Sequence, residues 1–393
     1  MTFQDRTFPT LNAVRAFGAI MVVLTHAAFN TGQINQGWVG AALARFDFGV
    51  TLFFVLSGFL LSRPWFLTTA LGRRAPSSRH YLWKRALRIL PLYWLVVVVA
   101  LTLDPANDGS GWQVWLSNLT LTQLYRPELL PSSLTQMWSL CTEVAFYVVL
   151  PLLCWWLTWH PRTGHRLDVG SVLRRSAVIF VAGVAWQATV AQIPGSEGHY
   201  AQWLPGYLPW FLVGVWFSAV SAKLAVEPRD HVLERLGRDL PGCWILATAV
   251  FAIACTPIAG PRQLLIPSGW EAGSKVVLYA VAGAFYVLPL VFGPEREGWA
   301  RTQLSGPVLF WLGDISYGIF AIHMLVLNAV FAVLDIDIFT GRYLTVAGTT
   351  LAVTIVLASA SFYLLERPVL RAKNVAFFAR MDREARPSRA TVT

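Results

Sequence analysis

The chain has 393 residues, of which 55% are hydrophobic and 13% charged, where soluble domains carry roughly one quarter charged residues. With 18 Trp, 24 Phe, 11 Tyr and a mean hydropathy of +0.53, an ordinary soluble fold is excluded and long bilayer-crossing segments are expected. The net charge of +10 has to be located along the chain before it is assigned to an anionic partner such as nucleic acid.

From the N-terminus, apolar runs long enough to span a membrane lie at 11–29, 48–67, 85–103, 137–159, 172–193, 200–224, 242–260, 275–293, 313–334 and 343–365. They predict an all-α membrane protein, a bundle of about ten transmembrane helices forming one domain over residues 1–366. Two shorter amphipathic pieces, 112–124 and 304–312, are expected to lie in the interface or re-enter. Residues 367–393, rich in Arg, Ala, Ser and Pro, read as a basic, partly disordered tail. The first span lacks a small-residue cleavage pattern and is expected to be retained.

The basic residues agree with this division. Only Arg45, Arg126, Arg262, Lys275 and Arg342 fall in the loops after odd-numbered spans, and the other 26 of the 31 Lys and Arg lie on the side of the N-terminus. Cytoplasmic N- and C-termini follow. The positive charge thus reflects orientation, and no nucleic-acid partner is expected. Cys141, Cys154, Cys243 and Cys255 show neither metal-ligand spacing nor a disulfide framework.

Ionisable residues inside spans are candidate functional groups because they are costly there. Arg15 and His26 are eleven residues apart on the first span, nearly three whole turns, which places them on one face roughly 16 Å apart along the axis. Arg15 suits either a residue snorkelling to the headgroups or one that meets an anion. Glu143 falls about two turns below the outer end of the fourth span, near the depth of His26, with Ser139 one turn away on its own face. A carboxylate beside an imidazole fixes its tautomer and supports a general base, so His26 and Glu143 are expected to be partners.

Arg85 and Arg88 share one side of the third helix near its inner end. Two guanidinium groups there suit either phosphate or anchoring at the cytoplasmic face. His323 lies midway along the ninth span, after Asp314-Ile315-Ser316-Tyr317, and fits packing as well as catalysis. Glu366 closes the tenth span and fits a cap as well as a substrate contact. The run around Ser57-Gly58 suits close helix packing.

These positions together resemble acyltransferase family 3, the polytopic bacterial membrane acyltransferases. The matching stretches are Arg15-x10-His26, Gly49 through Ser57-Gly58-Phe59, Arg85-x-x-Arg88 with Ile89-Leu90-Pro91, Trp138-Ser139 with Glu143 and Phe146-Tyr147, Ile315-Ser316-Tyr317 leading to His323, and Glu366-Arg367-Pro368. The resemblance covers nearly the whole chain. It implies a multi-pass enzyme of the bacterial cytoplasmic membrane that moves a short acyl group, often acetyl, from acyl-coenzyme A to a hydroxyl. The acceptor class it implies is a carbohydrate, glycolipid, cell-wall polymer or secondary metabolite.

It further implies catalysis by His26, with Arg15, Arg85 and Arg88 helping to bind the coenzyme or to shape the site. Ser57, Ser139, Tyr317, His323 and Glu366 are expected as substrate contacts or supporting residues. Acyl-coenzyme A enters as a substrate, and no resident cofactor or metal is expected. Thr51 stands where relatives often carry an acidic residue. The stand-alone form, without a fused esterase-like domain, is the expected one.

The mechanism these residues lead one to expect has His26, oriented by Glu143, deprotonate the acceptor hydroxyl for attack on the thioester, with an acyl-enzyme on His26 or a serine as the other route. A proton-coupled transporter is the alternative for ten spans with internal charges. The absence of a repeat between the halves and the spread of charges over two levels count against it.

Overall fold

The computed structural model describes residues 8–126, 130–161, 164–190, 192–193, 199–262 and 265–371. The first apolar run forms α1 (Thr10–Asn30), followed by a short helix α2 (Gly37–Ala44) that lies outside any expected span. The next three long helices are α3 (Phe48–Ala70), α4 (Ser78–Leu103) and α6 (Trp138–Thr158), with the short α5 (Trp112–Leu119) before the last. Helices α7 (Val169–Val190) and α8 (Leu204–Val226) lead to the bent pair α9 (Val232–Arg238) and α10 (Leu240–Ala254). After α11 (Gly269–Phe292), the short α12 (Trp299–Leu304) and α13 (Pro307–Asp314) precede α14 (Ser316–Val333) and α15 (Tyr343–Ser361). A π-helical turn, Phe362–Glu366, and α16 (Arg367–Arg371) end the described chain.

Among the described residues, nine helices are long and apolar enough to cross a membrane, and a tenth is reached if α9 and α10, bent by 91°, form one span. The ten expected spans correspond to these segments. The seventh is shorter than expected because the turn Pro257–Ala259 replaces the last part of 242–260, where proline cannot continue the ladder. The expected piece 304–312 is divided between α12 and α13, and the ninth span begins at Ser316 rather than residue 313. The expected tail lies beyond Arg371 outside the described residues.

Local chemistry sets several helix ends. Ser268 and Glu271 form a capping box at the start of α11, and Ser77 accepts the His80 N–H at the start of α4. Trp38, Trp112 and Trp270 are exposed near helix ends opposite the N-terminus, and Trp299 is exposed on the N-terminal side, as expected of interfacial anchors. Exposed Val148, Leu152, Val178, Val181, Val356 and Leu364 give α6, α7, α15 and the π-helical turn after it apolar outer flanks suited to lipid.

Packing within the bundle depends on small residues. Helices α3 and α8 touch backbone to backbone, so a β-carbon added at Gly58 would lie 2.0 Å from the Phe211 carbonyl oxygen, and one at Gly214 would lie 2.0 Å from that of Val55. This contact holds the α3 segment bearing Ser57 against the bundle. Helix α1 contacts α3, α13, α14 and α15. The break between α13 and α14, tied by Ser316 Oγ donating to the Gly313 carbonyl at 2.7 Å, sets the start of the helix bearing Tyr317 and His323.

Candidate active site

One cavity of about 130 Å³ collects most of the polar residues singled out by sequence. Helix α1 supplies Arg15, α3 supplies Ser57, α4 supplies Arg85 and Arg88, α6 supplies Ser139, Glu143 and Tyr147, and α14 supplies Tyr317. Helical spacing accounts for these sets: Ser139, Glu143 and Tyr147 succeed one another every four residues, and Arg85 and Arg88 are three apart. Phe53 and Phe320 complete part of the wall.

The three arginines are held differently. Arg88 Nη1 lies 3.1 Å from Glu366 Oε2, and its Nη2 donates to the Asp314 carbonyl at 3.1 Å. The π-helical turn carries Glu366 inward to 2% exposure, so Arg88 is positioned by a buried carboxylate. Its guanidinium also sits 6.0 Å from the centroid of the Tyr317 ring, while Tyr317 OH donates to the Ile89 carbonyl at 2.7 Å. Arg15 donates to Asn12 Oδ1 at 3.2 Å. Arg85 has no hydrogen-bond or ion-pair partner among the described residues, and its Nε is buried without one. Arg85 acts on Glu143 across the cavity by charge without a direct bond, so its guanidinium is free to pair with an incoming anion.

Across the cavity, Glu143 Oε1 accepts from Ser57 Oγ and from Tyr147 OH, the latter at 2.7 Å. Ser139 Oγ donates to the Gln136 carbonyl at 3.2 Å. Tyr147 belongs to the sequence motif, but its role is visible only in the structure. Its place four residues after Glu143, on the same helical face, is the signal that relates the two.

The expected pairing of His26 with Glu143 is not formed. His26 Nδ1 instead lies 2.8 Å from the Val22 carbonyl and 3.2 Å from His323 Nε2, with ring centroids 5.0 Å apart. Similar depth does not imply contact: Glu143 turns to α3 and His26 turns to α14. His323 is fully buried, with Nδ1 2.7 Å from the Phe320 carbonyl. Phe320 relates the two groups, since it lines the cavity and its ring centroid is 6.0 Å from that of His323.

Carbonyl oxygens only accept, so each histidine carries a proton on Nδ1 in its neutral form. His323 Nε2 is then an acceptor beside the His26 Nδ1–H, and His26 Nε2 retains a lone pair. Among the described residues no group bonds to that nitrogen. Thr51 is fully buried and outside the cavity lining.

The profile of a family described as an acyltransferase domain matches residues 8–363. Acyltransferase MdmB of Streptomyces mycarofaciens is 26% identical over 339 residues, covering 81% of this chain and 79% of its own length. Exopolysaccharide production protein ExoZ of Rhizobium meliloti is 28% identical over 360 residues, covering 89% of this chain and 95% of its own. Peptidoglycan O-acetyltransferase OatA of Listeria monocytogenes is 23% identical over 406 residues, covering 96% of this chain and 58% of its own, so this chain spans little more than half of that protein. No solved structure matches the chain.

Proposed function

Since the chain belongs to acyltransferase family 3, whose domain fills residues 8–363, we propose that this multi-pass membrane acyltransferase moves a short acyl group, acetyl foremost, from acyl-coenzyme A to a hydroxyl of a saccharide or glycolipid. The observation that carries the donor assignment is the gathering of Arg15, Arg85 and Arg88 around one cavity, with Arg85 making no hydrogen bond or ion pair to a described protein group. Coenzyme A is a polyanion with a long thin arm. Guanidinium groups pair with its phosphates through charge-assisted bonds, and the arm carries the thioester toward Glu143 and Ser57. Arg88 is fixed for this role by Glu366 and the Tyr317 ring.

His26 is the base for the acceptor. Its Nδ1–H is committed to the Val22 carbonyl and shared toward His323 Nε2, which directs basicity to Nε2. Proton removal there makes the acceptor oxygen a nucleophile. His323, rather than Glu143, orients the ring and disperses the charge of the imidazolium as it forms. The acceptor class rests on the relatives named for peptidoglycan O-acetylation and exopolysaccharide production. The distribution of Lys and Arg supports cytoplasmic termini, with the donor arginines toward the cytoplasm and His26 nearer the outer face of a bacterial cytoplasmic membrane.

The experiment is acyl transfer by detergent-purified protein, with labelled acetyl-coenzyme A and a panel of cell-wall and exopolysaccharide fragments. The reading predicts acceptor-dependent release of coenzyme A and label on a hydroxyl, both lost in His26→Gln. Full transfer by His26→Gln would reject the assigned base, and absence of transfer to any hydroxyl compound by folded wild type would reject the acceptor class.

A further inference from the structure

We propose that Ser57 carries the acyl group between donor and acceptor as an ester, with Glu143 as the base that activates it. This rests on the acyl-coenzyme A reading above and specifies its route. Hydroxyls in membrane helices commonly return their proton to a carbonyl about one turn back, as Ser62 does to Gly58 at 2.6 Å and Ser176 to Val172 at 2.6 Å. Ser57 does not. Its Oγ donates across to Glu143 Oε1 on another helix, 86 residues away in sequence, in the wall of the cavity that holds the three arginines.

The carboxylate is itself oriented. Tyr147 OH donates to the same Oε1 at 2.7 Å, fixing that oxygen beside Ser57. A hydroxyl bonded to a base, with the base held by a third group, is the arrangement that activates a nucleophile. The packing of Gly58 against Phe211 leaves the neighbouring Ser57 little freedom to move away.

In the first step Ser57 Oγ bonds to the thioester carbonyl carbon while its proton passes to Glu143. The carbon–sulfur bond breaks, and the coenzyme A sulfur recovers that proton from Glu143 and leaves as the thiol. In the second step the acceptor oxygen bonds to the ester carbonyl carbon and the bond to Ser57 Oγ breaks. The proton taken from the acceptor by His26 returns to Ser57 Oγ. Donor and acceptor therefore need not be bound together.

The test uses full-length protein in detergent with radiolabelled acetyl-coenzyme A and no acceptor, followed by peptide mass spectrometry. Wild type is expected to release no more than about one coenzyme A per enzyme in a rapid phase and to retain one acetyl group on the peptide containing Ser57. Ser57→Ala and Glu143→Gln are expected to bind acetyl-coenzyme A with wild-type affinity, measured separately, yet to show neither burst nor label. Ser57→Cys is expected to hold a thioester that neutral hydroxylamine removes.

Label on a different residue overturns the proposal. So does normal donor binding and turnover in wild type with no trapped label and with undiminished transfer by Ser57→Ala, a result that leaves the donor reading standing. Failure of folded wild type to bind acetyl-coenzyme A rejects the donor reading and the serine ester together.

Discussion

His26 Nδ1 on α1 lies 3.2 Å from His323 Nε2 on α14. Each ring is also tied at Nδ1 to a carbonyl of its own helix, His26 to Val22 at 2.8 Å and His323 to Phe320 at 2.7 Å. The pair is asymmetric: His26 keeps a basic nitrogen, and His323 supports it. His26→Gln should lower kcat by about 10²–10⁴-fold, the usual worth of a positioned base. His323→Gln should lower it by about 10–100-fold, as when a group that orients a working imidazole is lost. Steady-state kinetics at saturating donor, with donor affinity unchanged in both variants, checks this order of effects.

Glu366 and Arg88 form the ion pair that fixes one side of the arginine-lined cavity. Removing one partner of a fully buried pair costs about 3–5 kcal/mol, and Glu366→Gln should cost less, because Arg88 is 26% exposed and keeps its bond to the Asp314 carbonyl. Glu366→Gln should lower the thermal midpoint and weaken donor binding together. The double variant Arg88→Met/Glu366→Met should be more stable than Glu366→Gln, because it leaves no unpaired charge. Thermal unfolding in detergent, followed by the loss of monodisperse protein, tests the ranking.

Contact between α3 and α8 should be intolerant of a single added carbon. Gly58→Ala would place a β-carbon 2.0 Å from the Phe211 carbonyl oxygen, and overpacking of this kind costs about 1–3 kcal/mol or more. Gly348→Ala on α15 is the control, since nothing lies within 4 Å of its added β-carbon. Yield and thermal stability of the purified variants should fall for the first and hold for the second.

Acid sensitivity should include a part that depends on Asp104, just beyond α4. Burial pushes its carboxyl up, but hydrogen bonds from Ser133, the Ala106 N–H, Ser132 and Asn328 outweigh this and hold it below the usual carboxylate range. Because the folded-state value lies below the unfolded value of about 3.9, the stabilisation is complete above that pH and is lost as pH falls through the depressed value. Between about pH 5 and pH 3, wild type should therefore lose more thermal stability than Asp104→Asn.

The spans and the arginines of the site are legible in the sequence because bilayer thickness dictates helix length and because charge in an apolar run has few harmless explanations. Arg15, Arg85, Arg88 and Glu143 stand out on that ground and share one cavity. The partner of His26 was not legible. Counting residues along two helices gives the depth of His26 and Glu143, but the direction each faces depends on how α1, α6 and α14 pack. Glu143 meets Ser57, and His26 meets His323.

The π-helical turn that buries Glu366 and the break between α13 and α14 also escaped hydrophobic periodicity, because each alters the helical register within a continuously apolar stretch. The short α2 and α9 lacked the length of a span and carried no sharper signal.

The most direct test of the donor assignment is equilibrium binding of acetyl-coenzyme A to the detergent-purified chain, comparing wild type with Arg85→Ala and Arg88→Ala. Loss of one charge-assisted contact, about 1.5–3 kcal/mol, predicts saturable binding by wild type that weakens by roughly 10–100-fold in each variant. Equal affinity in all three proteins, or no binding by folded wild type, would contradict the assignment of these arginines to the donor.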